Sequence, residues 1–317
     1  MLIVWLDQNQ ENRHQTLSKY QLIGQISKND IENRIIPIVL YLDQPLLGLS
    51  HEEFNTLSQS IDVIIHSAAT VRFNFLYSHT HDVGNLKVSN NKERLIRFLF
   101  VSSISVLFSG IRDNQSHGLD GTNRDKSPFL ESINSHIGYG QSKIIQENIM
   151  VEAHNRGIPS AIVRPSYIFT NPMTMIPNQN DTLQIFFNSC KSLKKCPQFE
   201  ESDFISTISI STLSETIIEM ALLNDTYWIN QNNTTIPLIN LFGEPIMSKD
   251  LFESVSKHPS FSLIDFKEWV KHCLESTDPV CQRLGPLIPA VNPLLFKQLL
   301  NGPNSVTKIT NRQSPLT

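Results

Sequence analysis

Apolar residues fall along this chain in two rhythms. Short runs rich in Val, Ile and Leu occur at Leu2–Leu6, Ile35–Leu40, Ile61–His66, Phe98–Ser102 and Ala161–Val163, and each reads as a strand. Stretches with helical spacing lie between them. One covers about residues 11–26, with Leu17, Tyr20 and Ile23 on one face. A second opens at the capping box Ser50-His51-Glu52-Glu53 and runs to about Ser58. A long third covers Gly138–Asn155 and is stopped by Gly157 and Pro159. Nearly continuous apolar strands alternating with helices predict an α/β fold, a Rossmann-like, doubly wound parallel sheet covered on both faces.

The texture changes after Pro165. Residues 170–181 are rich in Pro, Asn and Met, a loop signal. A helix near Leu183–Leu193, a strand near Phe204–Ile208 and a helix near Leu213–Leu223 follow. Pro237, Pro245, Pro259 and Pro279 then mark a smaller, less regular lobe. The expected organisation is a cofactor and catalytic domain over 1–169, a region over 170–300 that returns to the sheet and forms a substrate lobe, and a frayed tail over 301–317.

Composition narrows the function classes. The formal net charge is −4, with 26 Lys and Arg against 30 Asp and Glu, so the chain has no overall electrostatic footprint for nucleic acid. No apolar run approaches the ~20 residues of a membrane span. The N-terminal apolar stretch is too short for a secretory signal, and a reduced, cytoplasmic chain is the expectation. The four cysteines, Cys190, Cys196, Cys273 and Cys281, have no zinc-binding spacing and read as small hydrophobes; no metal is expected.

Tyr139-Gly140-Gln141-Ser142-Lys143 is the most informative segment. Spacing of four on a helix puts the phenol and the ammonium on one face. A neighbouring ammonium lowers a phenol's pKa, and such a Tyr can pass a proton to a carbonyl oxygen while hydride arrives at carbon. The plain alternative is a surface Tyr and Lys. Context argues otherwise. Upstream, an apolar strand ends in the hydroxyls of Ser102 and Ser103; downstream, another ends in Arg164-Pro165. Ligands of doubly wound sheets bind outside the carboxyl ends of the strands, so these groups are expected to converge on one crevice.

With these residues in place the chain resembles an extended short-chain dehydrogenase/reductase of the thioester reductase type. These are the terminal reductase domains of polyketide and peptide synthetases, aminoadipate reductases and carboxylic acid reductases. Fatty acyl-CoA reductases are near relatives. The likeness rests on Leu46-Leu47-Gly48-Leu49-Ser50, on Asp62 through Phe73 with its Ser67-Ala68-Ala69, on Phe100-Val101-Ser102-Ser103, on Tyr139 through Lys143, and on Arg156-Gly157-Ile158-Pro159 through Arg164-Pro165. It implies reduction of an acyl thioester, bound to an acyl carrier protein's phosphopantetheine or to coenzyme A, by NADPH or NADH. Ser103 would bind the thioester carbonyl, Tyr139 would donate the proton, and Lys143 would hold the nicotinamide ribose and tune Tyr139. The cofactor side would comprise Asp7, Ser67, Ala68, Ala69, Ser102, Lys143, Arg164 and Pro165. The product is an aldehyde or alcohol.

The pattern departs from the family at the N-terminal side. No G-x-G-x-x-G occurs, although the family cradles pyrophosphate on such a turn at a helix N-terminus. Only two strands precede the one ending at His66, where the family has three. Leu2–Leu6 then matches the second strand of an N-terminally truncated fold, or else a first strand whose loop has lost its glycines. Asp7 after it favours a ribose 2′-hydroxyl over a phosphate. Two further readings stand beside the reductase: a non-catalytic remnant that binds a carrier protein or acyl chain, and a nucleotide-sugar epimerase or dehydratase. The acyl-reductase segments disfavour the last.

Overall fold

The structure is a computed structural model of the chain. It describes residues 2–6, 27, 29, 33–41, 44–68, 96–107, 138–169, 181–199, 204–224, 228, 236–243, 245–250 and 261–284. The chain divides into two compact units, Met1–Ile61 with Asp82–Lys92, and Asp62–His81 with Glu93–Thr317. The helix expected over 11–26, and with it Asp7 and Ala69, lies outside the described residues, as does the tail.

In the first unit, strands β1 (Leu2–Leu6) and β2 (Ile35–Val39) pair in parallel, Leu2 opposite Ile35 and Leu6 opposite Val39. A single 3₁₀ turn over Pro45–Gly48 follows, with Leu46, Leu47 and Gly48 all at positive φ. That conformation costs the two leucines about 1–2 kcal/mol each. It leads into helix α1 (His51–Ser60), where the expected capping box is complete. The Ser50 hydroxyl accepts from Glu53 N–H at 3.2 Å, and the Glu53 carboxylate accepts from Ser50 N–H at 2.9 Å.

The second unit is built on a four-stranded parallel sheet. Its strands are β3 (Val63–His66), β4 (Arg97–Val101), β5 (Ser160–Pro165) and, further along the chain, β9 (Leu238–Leu241). Helix α2 spans Gly138–Asn155, and β6 spans Tyr167–Phe169. Helix α3 (Thr182–Leu193), β7 (Lys195–Pro197), β8 (Phe204–Ser209) and helix α4 (Ile210–Leu222) follow. The chain then returns through β9 (Leu238–Leu241), β10 (Pro245–Met247), β11 (Ser262–Ile264), α5 (Phe266–Glu275) and α6 (Pro279–Gln282).

The order β3-β4-β5-β9 with every pair parallel is the α/β arrangement that the apolar rhythm predicts. Its register sets His66 beside Phe100, Val101 beside Val163 and Pro165 beside Leu241. All four strands therefore end at one rim. A small sheet, β10-β8-β6, and a two-stranded ladder, β11-β7, complete the unit.

Two apolar clusters hold these elements. Leu213 and Met220 of α4 pack with Trp228 onto Leu99, Ala161 and Val163 of the parallel sheet. Leu183, Phe186 and Cys190 of α3 pack with Cys196 of β7 and with Phe266, Trp269 and Cys273 of α5; the Phe186 and Trp269 rings lie 4.3 Å apart. All four cysteines are free and buried, the environment expected of packing thiols. No described helix is long and apolar enough to cross a membrane.

Gly243 carries a tight backbone approach. A Cβ there would stand 2.1 Å from the Thr207 carbonyl oxygen of β8. Gly243→Ala therefore separates β8 from the segment joining β9 to β10. It is expected to destabilise the second unit by about 1–3 kcal/mol, read as a lower urea midpoint. An unchanged midpoint would show that the approach is not needed.

Candidate active site

The site grows from the ends of β3, β4 and β5 and from the first turns of α2. Strand β4 is apolar because both its faces are covered; Phe98 through Val101 are all buried. It ends where Ser102 N–H donates to the Val163 carbonyl at 2.7 Å. The next residue begins a 3₁₀ turn, Ile104–Leu107. There the Ser103 hydroxyl accepts from Ser105 N–H at 3.1 Å, and the Ser103 carbonyl accepts from Val106 N–H at 3.3 Å. Ser103 is thus a cap, held in place by its backbone.

The same hydroxyl faces the phenol of Tyr139, an interaction that favours the ionised phenol. Burial holds that phenol above its ordinary pKa, and the Ser103 hydroxyl opposes the rise. This corrects the expectation that Lys143 lowers it. The Lys143 ammonium lies 6.0 Å from the centre of the Tyr139 ring and donates instead to the Val101 carbonyl at 2.9 Å. Desolvation therefore governs the phenol, which is neutral at pH 7 and carries the proton a general acid needs.

Lys143 is 2% exposed. Its ammonium also sits over the Phe100 ring, 4.7 Å from the centroid. Burial lowers its pKa to about 8, with the Glu147 charge acting in the opposite sense. It is a cation at neutral pH.

The inner face of α2 explains the rest. Lys143, Ile144, Glu147 and Met150 share it, and all are buried. Glu147 is fully buried and accepts a two-pronged pair of bonds from Arg164, Nε to Oε1 at 2.8 Å and Nη2 to Oε2 at 2.6 Å. The Ser102 hydroxyl donates to Oε1 at 2.5 Å. Arg164 also approaches Asn240 Oδ1 at 3.5 Å. The Arg164 guanidinium, expected at the nicotinamide end, is thus bonded inward to the helix, as is the Ser102 hydroxyl.

Of the anticipated residues, the structure brings together Ser103, Tyr139 and Lys143, with Ser102 and Arg164 beneath them. Pro165 is buried at the end of β5. Ser67 is exposed and Ala68 half-buried immediately after β3. Sequence reasoning missed two residues. Glu147 repeats the Tyr139–Lys143 interval one turn on, and that spacing was the available signal. His66 ends β3 with its ring stacked on Phe100 at 5.8 Å and edge-on to Phe98 at 6.1 Å. Burial, reinforced by the Lys143 charge, lowers its pKa to about 4.

A nicotinamide cofactor suits the donors at this rim. The Ser166 hydroxyl, directly after Pro165, is buried without a hydrogen-bond partner among the described residues. Lys143 has further N–H donors beyond the one given to Val101. No described cluster of His, Cys, Asp or Glu could hold a metal ion.

Comparison with known proteins gives a consistent picture. The model of the male sterility protein family, a family of NAD-binding domains, matches residues 6–217. Probable polyketide synthase 30 of Dictyostelium discoideum is 30% identical over 275 residues, which cover 83% of this chain and 8% of that protein. Probable polyketide synthase 6 of the same organism is 31% identical over 280 residues, 84% of this chain and 9% of that protein. The chain thus spans under a tenth of these relatives.

Among solved structures, the terminal R domain from the myxalamid PKS-NRPS pathway superposes with a TM-score of 0.74 at 21% identity, covering 95% of this chain and 74% of that one. A thiolation-reductase di-domain from an archaeal non-ribosomal peptide synthetase gives 0.63 at 15%, covering 95% and 63%. The fold is that of these reductase domains.

The buried imidazole makes stability depend on acid. His66 favours its neutral form when folded, so the unfolded chain binds more protons as pH falls from about 6.5 toward 4. Stability present above pH 6.5 is lost through that window, by about 3 kcal/mol in all. His66→Asn should flatten this part of a stability–pH curve measured by urea unfolding. A curve of unchanged slope would remove His66 as its source.

Proposed function

Because the chain belongs to the male sterility protein family of NAD-binding domains, we propose that it is a nicotinamide-dependent reductase of acyl thioesters. The observation that carries this reading is the Ser103–Tyr139 hydroxyl pair, with the Lys143 ammonium one helical turn away at the rim of a parallel sheet. The polyketide synthase relatives favour a thioester on a carrier protein's phosphopantetheine over one on free coenzyme A.

In this mechanism the thioester carbonyl oxygen takes hydrogen bonds from Ser103 and Tyr139. A reduced nicotinamide, held by Lys143, Ser166, Ser67 and the backbone at Ala68, would supply hydride chemistry at the carbonyl carbon. Tyr139 gives its phenolic proton to the oxygen, which makes a thiohemiacetal. That adduct collapses to an aldehyde: its hydroxyl proton returns to the Tyr139 phenolate, the carbon–sulfur bond breaks with its electron pair on sulfur, and the thiolate takes a proton from water to leave as a free thiol.

Lys143, with N–H donors beyond the one given to Val101, would hold the nicotinamide ribose beside Tyr139. Ser166, Ser67 and the backbone at Ala68 would line the cofactor. Asp7 and Ala69 remain proposed cofactor contacts through the resemblance alone. Arg164 and Ser102 act beneath the site, since their side chains reach Glu147. The choice between NADH and NADPH would follow Asp7, which favours NADH.

The test uses the purified chain with a phosphopantetheine-linked acyl thioester and each reduced cofactor, following absorbance at 340 nm and aldehyde formation. Turnover is expected, with Tyr139→Phe slower by about 10²–10⁴. Equal rates in the two proteins would remove Tyr139 from the reaction. No cofactor binding by either would overturn the reductase reading for this chain.

A further inference from the structure

A carboxylate with no exposed surface needs a reason. Glu147 sits on the buried face of α2, one turn beyond Lys143. Two strands reach in to hold it. Arg164 of β5 grips both of its oxygens, at 2.8 and 2.6 Å, and Ser102 at the end of β4 donates at 2.5 Å. Lys143 seats its ammonium on the carbonyl of Val101, the residue before Ser102. The ammonium and the carboxylate are thus fastened to consecutive residues of one strand end.

We infer that Glu147 is a positioning residue for Lys143: its carboxylate, anchored through Arg164 and Ser102, supplies the negative charge that keeps the Lys143 ammonium protonated and seated on Val101. The inference deepens the reductase reading, in which Lys143 is the cofactor-facing amine.

The surroundings of Lys143 leave this role to Glu147. From β3 it is faced by His66, whose neutral imidazole brings no negative charge. From β4 it meets the Phe100 ring and the Val101 carbonyl, dipoles without net charge. From its own helix it is faced by Tyr139, a neutral phenol, and by Glu147. From β5 comes Arg164, a second cation, which meets the site through its bond to Glu147. Glu147 is therefore the anion in this set of described residues. Ordinary helix geometry puts the two Cβ atoms about 5–6 Å apart, close enough for a carboxylate to favour an ammonium strongly where water is excluded. Burial alone acts against the charge on Lys143, and the carboxylate offsets it.

The test reads Lys143 directly and needs no turnover. Lysine labelled with ¹³C at Cε is incorporated, and the Lys143 signal is assigned by its loss in Lys143→Arg. The wild-type signal is expected to titrate with a midpoint near 8, in line with burial of the amine. Glu147→Gln should lower the midpoint by about 1–3 pH units, the shift expected when a close opposite charge is removed. Glu147→Asp should return most of it. Glu152→Gln, an exposed position on the same helix, should leave it in place.

Glu147→Gln leaves Arg164 buried without its carboxylate partner and can prevent folding. The double variant Glu147→Met with Arg164→Met replaces the whole pair by apolar groups, a change that folded proteins tolerate. Because it also removes the Arg164 cation, it should titrate below wild type by less than Glu147→Gln does, and below Arg164→Met, from which it differs only in the carboxylate. A folded variant without the carboxylate and with an unmoved midpoint would overturn the inference. A lowered midpoint in a chain that reduces no thioester would support it and remove the reductase reading alone.

Discussion

One buried ion pair organises the parallel-sheet unit of this protein. Taking a carboxylate and a guanidinium out of water costs several kcal/mol per ion, and their attraction repays it only when geometry and extra hydrogen bonds are good. Here Glu147 receives two bonds from Arg164 and a third from Ser102, while Arg164 also approaches Asn240 of β9. The pair therefore joins helix α2 to three neighbouring strands at once. A slide of α2 by one residue would break every bond and strand two charges in the interior. The position of Tyr139 and Lys143 over the rim follows from that constraint.

Above the pair, burial of the titratable groups assigns their protonation states. Tyr139 stays a neutral acid because phenolate is penalised by burial. His66 stays a neutral base for the same reason, with the Lys143 charge adding to the effect. Lys143 keeps its proton because an anion, an aromatic face and a carbonyl surround it. A single low-dielectric environment thus holds acid, base and cation in three defined states. The sequence argument from Tyr–Lys proximity weighed the charge and omitted the solvent, which is why it reversed the direction for Tyr139.

The long elements were legible along the chain. Helix α2 runs over Gly138–Asn155, as its stops at Gly157 and Pro159 imply, and β3, β4, β5 and β8 fall where the apolar runs lie. The three-residue strands β6, β7, β10 and β11 were not legible, because so few residues carry no period. Arg164 was found and its direction was not. Nothing local distinguishes a guanidinium that turns outward to a ligand from one that turns inward to a helix. Glu147 escaped notice for a related reason: a charged residue on a helix reads as solvent-facing until its partner, 17 residues away on β5, is brought beneath it.

The amino-acid sequence by itself determined the alternation of strands and helices, the capping box at Ser50, the spacing that puts Tyr139 and Lys143 on one helix face, and the hydroxyls that end β4. Each of these depends on neighbours a few residues apart, where backbone geometry fixes who can meet. Only the tertiary structure decided that Ser103 reaches Tyr139, that Lys143 turns to Val101, and that Arg164 and Ser102 close on Glu147. Those contacts join distant segments, and the energies that select them, desolvation and pairing in an interior without water, exist only once the chain has folded.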